Sequence, residues 1–371
     1  MVGAAAALGW NERALAMPVT LDDTYLSYCK AYDELTEKGP IVLPDGNCRC
    51  GWMRHPVLDL NFEDARFSTK TKMRLAMKKW DMYHMYTPTH AIHLLIAWTA
   101  YASFFTAFVY DRRADKVYEE SSFLSASPEI PLMRDSTGGK TEYVSGDVRG
   151  SFEVEGETRR LRVRFPGFAK GSLSADIDLF YPAAYDSVAS SQLAAPMRCY
   201  FGHKINAMTA TGRMELNGET FEMNPETCFG ALDFGRGYYP PKLFWYWATA
   251  SGRHTDGKLI GFNLGYGNRK YNTAENALFY DGKLTKVGET ECVEAPDDDP
   301  MRAWSVRDAE GLVDLKFAPV NVRRVEVNMG QRYSRGRPCV GIFSGTMRTA
   351  DGKTIEIENL FGQYEWIDSK W

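Results

Sequence analysis

Three short strings in the sequence hold side chains able to move a proton or grip the polar end of a ligand. The first is Leu232-Asp-Phe-Gly-Arg-Gly237. Asp233 and Arg236 can orient a polar group, and a desolvated Asp233 would rise in pKa and donate a proton. The same pair can instead form a salt bridge that pins a turn. Gly235 and Gly237 let a ligand or another strand approach the backbone closely. The second string is Tyr200-Phe-Gly-His-Lys-Ile-Asn206. Strand alternation puts His203 and Ile205 on one face and Lys204 and Asn206 on the other, so they cannot all enter one cavity. His203 is the acid–base candidate, because its pKa lies near neutrality. The third is Thr273-Ala-Glu-Asn-Ala277, where Glu275 can act as a base or stabilise a developing carbocation. Asp233, His203 and Glu275 are therefore the candidate catalytic residues. Lys204, Arg236, Asn276, Trp80, Trp245 and Trp247 are the candidate ligand contacts, the indoles offering their faces to positive charge. Trp245 and Trp247 share a strand face, which Tyr246 opposes.

Other patterns carry less chemistry. His84, His90 and His93 supply three imidazoles, but Pro88 interrupts the run and no carboxylate stands at ligand spacing, so no metal site is expected. There is no P-loop, no His-Glu-x-x-His and no Gly-x-Ser-x-Gly. Gly235-Arg-Gly237 and Gly265-Tyr-Gly267 lack the strand–helix context of a dinucleotide site. Asp297-Asp-Asp299 lacks the spacing of a calcium loop. No cofactor is expected.

The chain has 371 residues, with 44 Lys plus Arg against 48 Asp plus Glu. That balance disfavours a dedicated nucleic-acid binder. The composition is that of an ordinary globular protein, and its length predicts two or three domains. Aromatic residues make up 13%, enough to line a core or an apolar pocket. Seven cysteines are widely spaced without a Cys-x-x-Cys pair, which predicts reduced thiols and an intracellular setting, cytoplasmic or organellar (mitochondrion or plastid). Ala91 to Tyr110 is a run of 20 residues without a formal charge, preceded by Lys70, Lys72, Arg74, Lys78 and Lys79. Its length would span a bilayer and its basic flank suits a membrane surface. Its aromatic and β-branched residues fit two buried strands joined by a tight turn better.

A helix is expected from Thr20 to Gly39, with Leu21, Tyr25, Tyr28, Tyr32 and Leu35 on one face. A second, short helix is expected within 63–78. Strands dominate thereafter. Gly150 to Thr158, Gly212 to Thr220 and Gly345 to Thr354 echo one another as hairpins turning at Glu-Gly, Asn-Gly or Asp-Gly. Trp80 to Asp111 and Trp245 to Asp281 echo each other as strand meanders. These repeats predict a mainly β chain of two antiparallel lipocalin-like barrel or sandwich units with a short helical N-terminal extension. The expected divisions are 1–44, 45–195 and 196–371.

Eight strings carry a family resemblance: Leu35 to Gly46, Gly51 to Pro56, Lys79 to Tyr83, Tyr200 to Asn206, Leu232 to Gly237, Trp245 to Trp247, Asn263 to Gly267 and Thr273 to Ala277. Their order and spacing resemble the domain of unknown function 2804 family from Leu35 to Trp371, with the first 34 residues outside it. The β-rich pattern is similar to the two-domain lipocalin-like group, which includes hydroxyneurosporene synthase-type hydratases, tocopherol-cyclase-like proteins and fungal polyene cyclases. The resemblance implies an apolar cavity and non-redox isomerisation, cyclisation or hydration of a lipid- or isoprenoid-like ligand. The competing expectation is a non-catalytic subunit of a larger, membrane-associated assembly, docked through residues 1–34.

Overall fold

The computed structural model describes residues 33–125, 129–195, 197–267, 275–293 and 299–370. Two antiparallel sheets, curled into nearly closed or half barrels, account for most of it. The first barrel opens with a meander of Met77–Tyr86, His90–Trp98, Ala102–Asp111 and Lys116–Ser125. Its last long strand, Phe229–Tyr238, returns to pair with the first. The second barrel repeats this plan. Lys242–Arg253, Leu259–Gly267, Ala277–Tyr280 and Lys283–Lys286 form the meander, and the final strand, Thr354–Lys370, pairs with Lys242–Arg253.

Two of the three hairpin echoes mark equivalent places. Gly212 (φ 105°) and Gly345 (φ 130°) each lie over the neighbouring strand, where an added Cβ would meet the Asp176 or Asp314 carbonyl oxygen at about 2 Å. No L side chain fits there, so both repeats keep glycine. The strand change falls after Tyr238 rather than at 195/196. Arg198–Leu216 and Phe229–Tyr238 hydrogen-bond into the first sheet, and the second sheet begins at Lys242. The meander echo marks where each repeat starts, while the closing strand of the first repeat lies far along the sequence.

The expected N-terminal helix falls mostly outside the described residues. Its described end is not helical, since Glu34 bridges to Trp52 in parallel. The second expected helix shrinks to Lys70–Ala76, capped by the Thr69 hydroxyl accepting from the Lys72 N–H at 3.1 Å. None of its residues is buried, so no core face extends it. The Ala91 to Tyr110 run forms two paired strands, His90–Trp98 and Ala102–Asp111. It reads as uniformly apolar because the interior buries one face and neighbouring structure covers much of the other. Among the described residues no helix is long and apolar enough to cross a membrane. Cys48, Cys199, Cys228, Cys292 and Cys339 are free thiols, whereas Cys50 is disulfide-bonded, a departure from the fully reduced expectation.

The barrel interiors are filled by side chains. Tyr83, Phe105, Tyr143, Phe152 and Phe168 occupy the first, and Trp304, Phe317, Phe343 and Tyr364 the second. The two barrels also pack directly against each other. Their contact is pinned at a bulge between Ile205 and Met208, where Ala207 takes φ 60°. The bulge turns Asn206 into the second sheet. There its amide donates to Thr249 Oγ1 at 2.8 Å and the Phe262 carbonyl at 3.0 Å, and the Ala207 N–H donates to Ser251 Oγ at 2.9 Å. Asn206→Ala should therefore cost about 2–4 kcal/mol, because it strands buried acceptors as well as removing bonds. In scanning calorimetry the two barrels should then melt as separable transitions; an unchanged single transition would contradict this role.

Candidate functional site

The outer face of the first barrel carries a floor built from glycine. Trp80, Gly235, Gly202 and Ser190 stand side by side across four strands. A Cβ on Gly235 would lie 2.2 Å from the Trp80 indole, and one on Gly202 would lie 1.9 Å from Glu275 Oε1. The two glycines thus leave the recess in which an indole and a carboxylate lie. The next row places Met82, Asp233 and Lys204 on the same face.

Charged groups converge on this floor from both barrels. Lys204 Nζ donates to Asp233 Oδ1 at 2.5 Å, stands 3.6 Å from Glu275 Oε2 and lies 4.9 Å from the centre of the Trp247 ring. Trp80 Nε1 also donates to Asp233 Oδ1, at 3.1 Å. Ser190 Oγ donates to Glu275 Oε1 at 3.1 Å. Trp247 Nε1 donates to Asn263 Oδ1, and the Asn263 amide holds the Glu275 carbonyl, so one asparagine fixes both. The carboxylate side chains keep 12% and 20% of their exposure against 8% for Lys204, so the cluster opens to solvent on its acidic side.

The repeat supplies a third carboxylate. Trp245 Nε1 donates to Glu365 Oε1 at 2.7 Å, as Trp80 does to Asp233. In each barrel the carboxylate lies two residues before the residue paired with that tryptophan, Gly235 or Ile367. Burial, reinforced by the Asp233 charge and opposed by the Trp245 bond, pushes Glu365 up to about 7. Burial works against the Lys204 ammonium, but Asp233 and Glu275 more than offset it and hold its pKa above the ordinary lysine range. His84 packs edge-on against Trp247 at 5.1 Å, and burial drives its pKa down to about 3.

The sequence candidates separate accordingly. Asp233, Glu275, Lys204, Trp80 and Trp247 come together, and Trp245 joins them through Glu365. His203 points into the first barrel, held between Ser136 Oγ (2.7 Å) and Ser187 Oγ (2.8 Å), and burial keeps its pKa well below the usual range. Arg236 does not pair with Asp233, because three residues of strand put them on opposite faces. It bonds Asp81 at 2.8 Å and the carbonyls of Met133, Trp80 and Gly235 inside the barrel. Asn276 is engaged with the backbone of Gly265 and Gly288. His84 and His93 sit directly opposite each other on paired strands. No motif in the chain marks Glu365 or Ser190. The tryptophan echo was the signal for Glu365, because each repeat tryptophan finds its carboxylate on the closing strand.

Among solved structures, CghA with Sch210972 is similar, with a TM-score of 0.51 at 12% identity, covering 80% of this chain and 88% of that one. Kievitone hydratase from Nectria haematococca matches at a TM-score of 0.45 and 10% identity, covering 79% of this chain and 88% of that one. No curated protein sequence matches the chain. The likeness to CghA establishes a shared two-barrel fold. Residues 32–371 match throughout, and the chain belongs to the family described as domain of unknown function, DUF2804.

Proposed function

We propose that the cleft between the barrels binds a largely apolar small molecule with a polar end and moves a proton on it without redox chemistry, in an isomerisation, hydration or cyclisation. The observation that carries this reading is the convergence of Asp233 and Glu275 on Lys204 beneath the Trp247 indole, joined from the other barrel by Glu365. Among the described residues Lys204 meets two carboxylates, Asp233 and Glu275, so the site favours positive charge building on a bound molecule, and indole faces add to that preference. Glu365, with a pKa near neutrality, is the proton donor; Glu275, on the solvent-open side, accepts the proton lost from carbon or from water. CghA, which shares the fold, is known with the small molecule Sch210972, and that supports a ligand for this architecture.

The test is deuterium incorporation, followed by mass spectrometry, when unsaturated isoprenoids are incubated with the protein in heavy water. Glu365→Gln should lower the rate about 10²–10⁴-fold, and equal rates in both proteins would refute the assignment. The same group gives a pH signature. Its folded pKa of about 7 lies above the ordinary 4.5, so the folded state holds the extra proton between those values. Its contribution to stability is complete below pH 4.5 and is lost as pH rises toward 7. Melting temperatures across that window should show this slope in the native protein and lose it in Glu365→Gln.

A further inference from the structure

The inter-barrel contact holds a group of polar atoms that the acid–base cluster does not use. Among the described residues His84 Nδ1 and Nε2, His93 Nε2, Tyr86 Oη and Gln363 Nε2 are all buried and none has a hydrogen-bond partner. His84 and His93 touch edge to face, 4.5 Å between ring centres, and Tyr86 stands 6.4 Å from His93. Gln363 comes from the second barrel, opposite Thr249 in the strand pairing, and approaches His84 without closing a well-formed bond. The residues are 0%, 6%, 2% and 3% exposed in the order His84, His93, Tyr86 and Gln363. Stranding so many polar atoms in one place is costly, and native proteins normally satisfy such groups with water or a ligand. The surroundings are aromatic, with Trp247 against His84, Phe108 against His93 and Phe361 against Tyr86.

We infer that these four side chains form a second subsite, behind Trp247, for a neutral oxygen of the ligand: a hydroxyl or carbonyl on an otherwise apolar frame. Neutral imidazoles and a phenol each both donate and accept, and an amide N–H donates, so together they match a hydroxyl or ketone oxygen. The group contains no formal charge to match a carboxylate, phosphate or ammonium. The subsite adjoins the reacting groups, since the Trp247 ring lies 5.1 Å from the His84 ring and 4.9 Å from Lys204 Nζ. Resting on the reading of the cleft above, this names the substrate class: an apolar molecule whose oxygen is anchored at the histidines while its reacting end lies at Lys204 and Glu365.

The experiment compares 2-naphthol with naphthalene by fluorescence titration of the full chain. The native protein should bind 2-naphthol at least tenfold more tightly. Tyr86→Phe and His93→Phe should erase that difference, leave naphthalene binding in place and raise the melting temperature, because each removes an orphaned polar group. Equal affinities for the two probes in the native protein, with naphthalene still displaced by Trp247→Ala, would overturn the oxygen subsite and leave the cleft reading standing. Absence of binding by either probe would overturn both. A lowered melting temperature in the conservative Tyr86→Phe variant would also contradict the inference, since it would mean that the hydroxyl serves the fold alone.

Discussion

Arg236→Met should destabilise the protein by about 3–5 kcal/mol, the largest single-residue loss of stability the structure suggests. Asp81 is fully buried, and its remaining side-chain partner would be the Thr141 hydroxyl. The guanidinium also stacks 3.9 Å over Phe234 and satisfies carbonyls on three residues. Removing it strands a buried carboxylate and opens space in a packed interior. Asp81→Leu combined with Arg236→Met should recover most of the loss, because the penalty comes from the partner left behind rather than from an intrinsically stabilising ion pair. Urea denaturation of the two variants decides the matter. A single variant within 1 kcal/mol of the native protein, or a double variant no better than the single, would show that the pair does not hold the barrel.

Lys204→Met should have the largest combined effect on stability and function. The variant leaves Asp233 and Glu275 facing Trp247 with no cation between them. Both carboxyls keep some exposure, which moderates the cost to about 2–3 kcal/mol at pH 8. The sign with pH is fixed. Asp233 and Glu275 hold the Lys204 pKa above the ordinary lysine value, so the native protein's gain from this group is complete at neutral pH and is lost as pH rises through the raised value. The variant's deficit should therefore be full at pH 8 and shrink as pH rises above 10.5. Proton exchange into the ligand should fall at least 100-fold. A deficit independent of pH would place the Lys204 effect in packing alone.

Much of this arrangement was legible in the residues. Hairpin turns at Asn217-Gly218 and Asp351-Gly352 and the paired tryptophan meanders gave the two-barrel plan, because turn chemistry and side-chain alternation are local properties. Asp233, Lys204 and Glu275 were picked out by type. Asp233 was matched with Arg236, although alternation sets those two on opposite faces, and that Asp233 faces Lys204 depended on strand pairing between residues 29 apart in sequence. The division of the barrels was misplaced because the first repeat closes with a strand far from its opening one, a non-local pairing that no local signal reports. Glu365 stayed hidden because its neighbours Tyr364 and Trp366 read as one more aromatic strand. Its role depends on a register set from the far side of the barrel. The glycine floor is the clearest case of sequence information awaiting a structure. Gly202 and Gly235 are unremarkable in the chain, and their purpose is visible only when they lie opposite each other beneath Glu275 and Trp80.

The central claim is that a small molecule lies between the barrels, over that floor. Native mass spectrometry of the protein expressed in its own source, followed by solvent extraction and identification of what is released, tests it most directly, with Trp247→Ala prepared alongside. One apolar, oxygen-bearing molecule per native chain is expected, and its loss from Trp247→Ala, which removes the ring that contacts both Lys204 and His84. A molecule held equally by both proteins would place the ligand elsewhere and contradict the account.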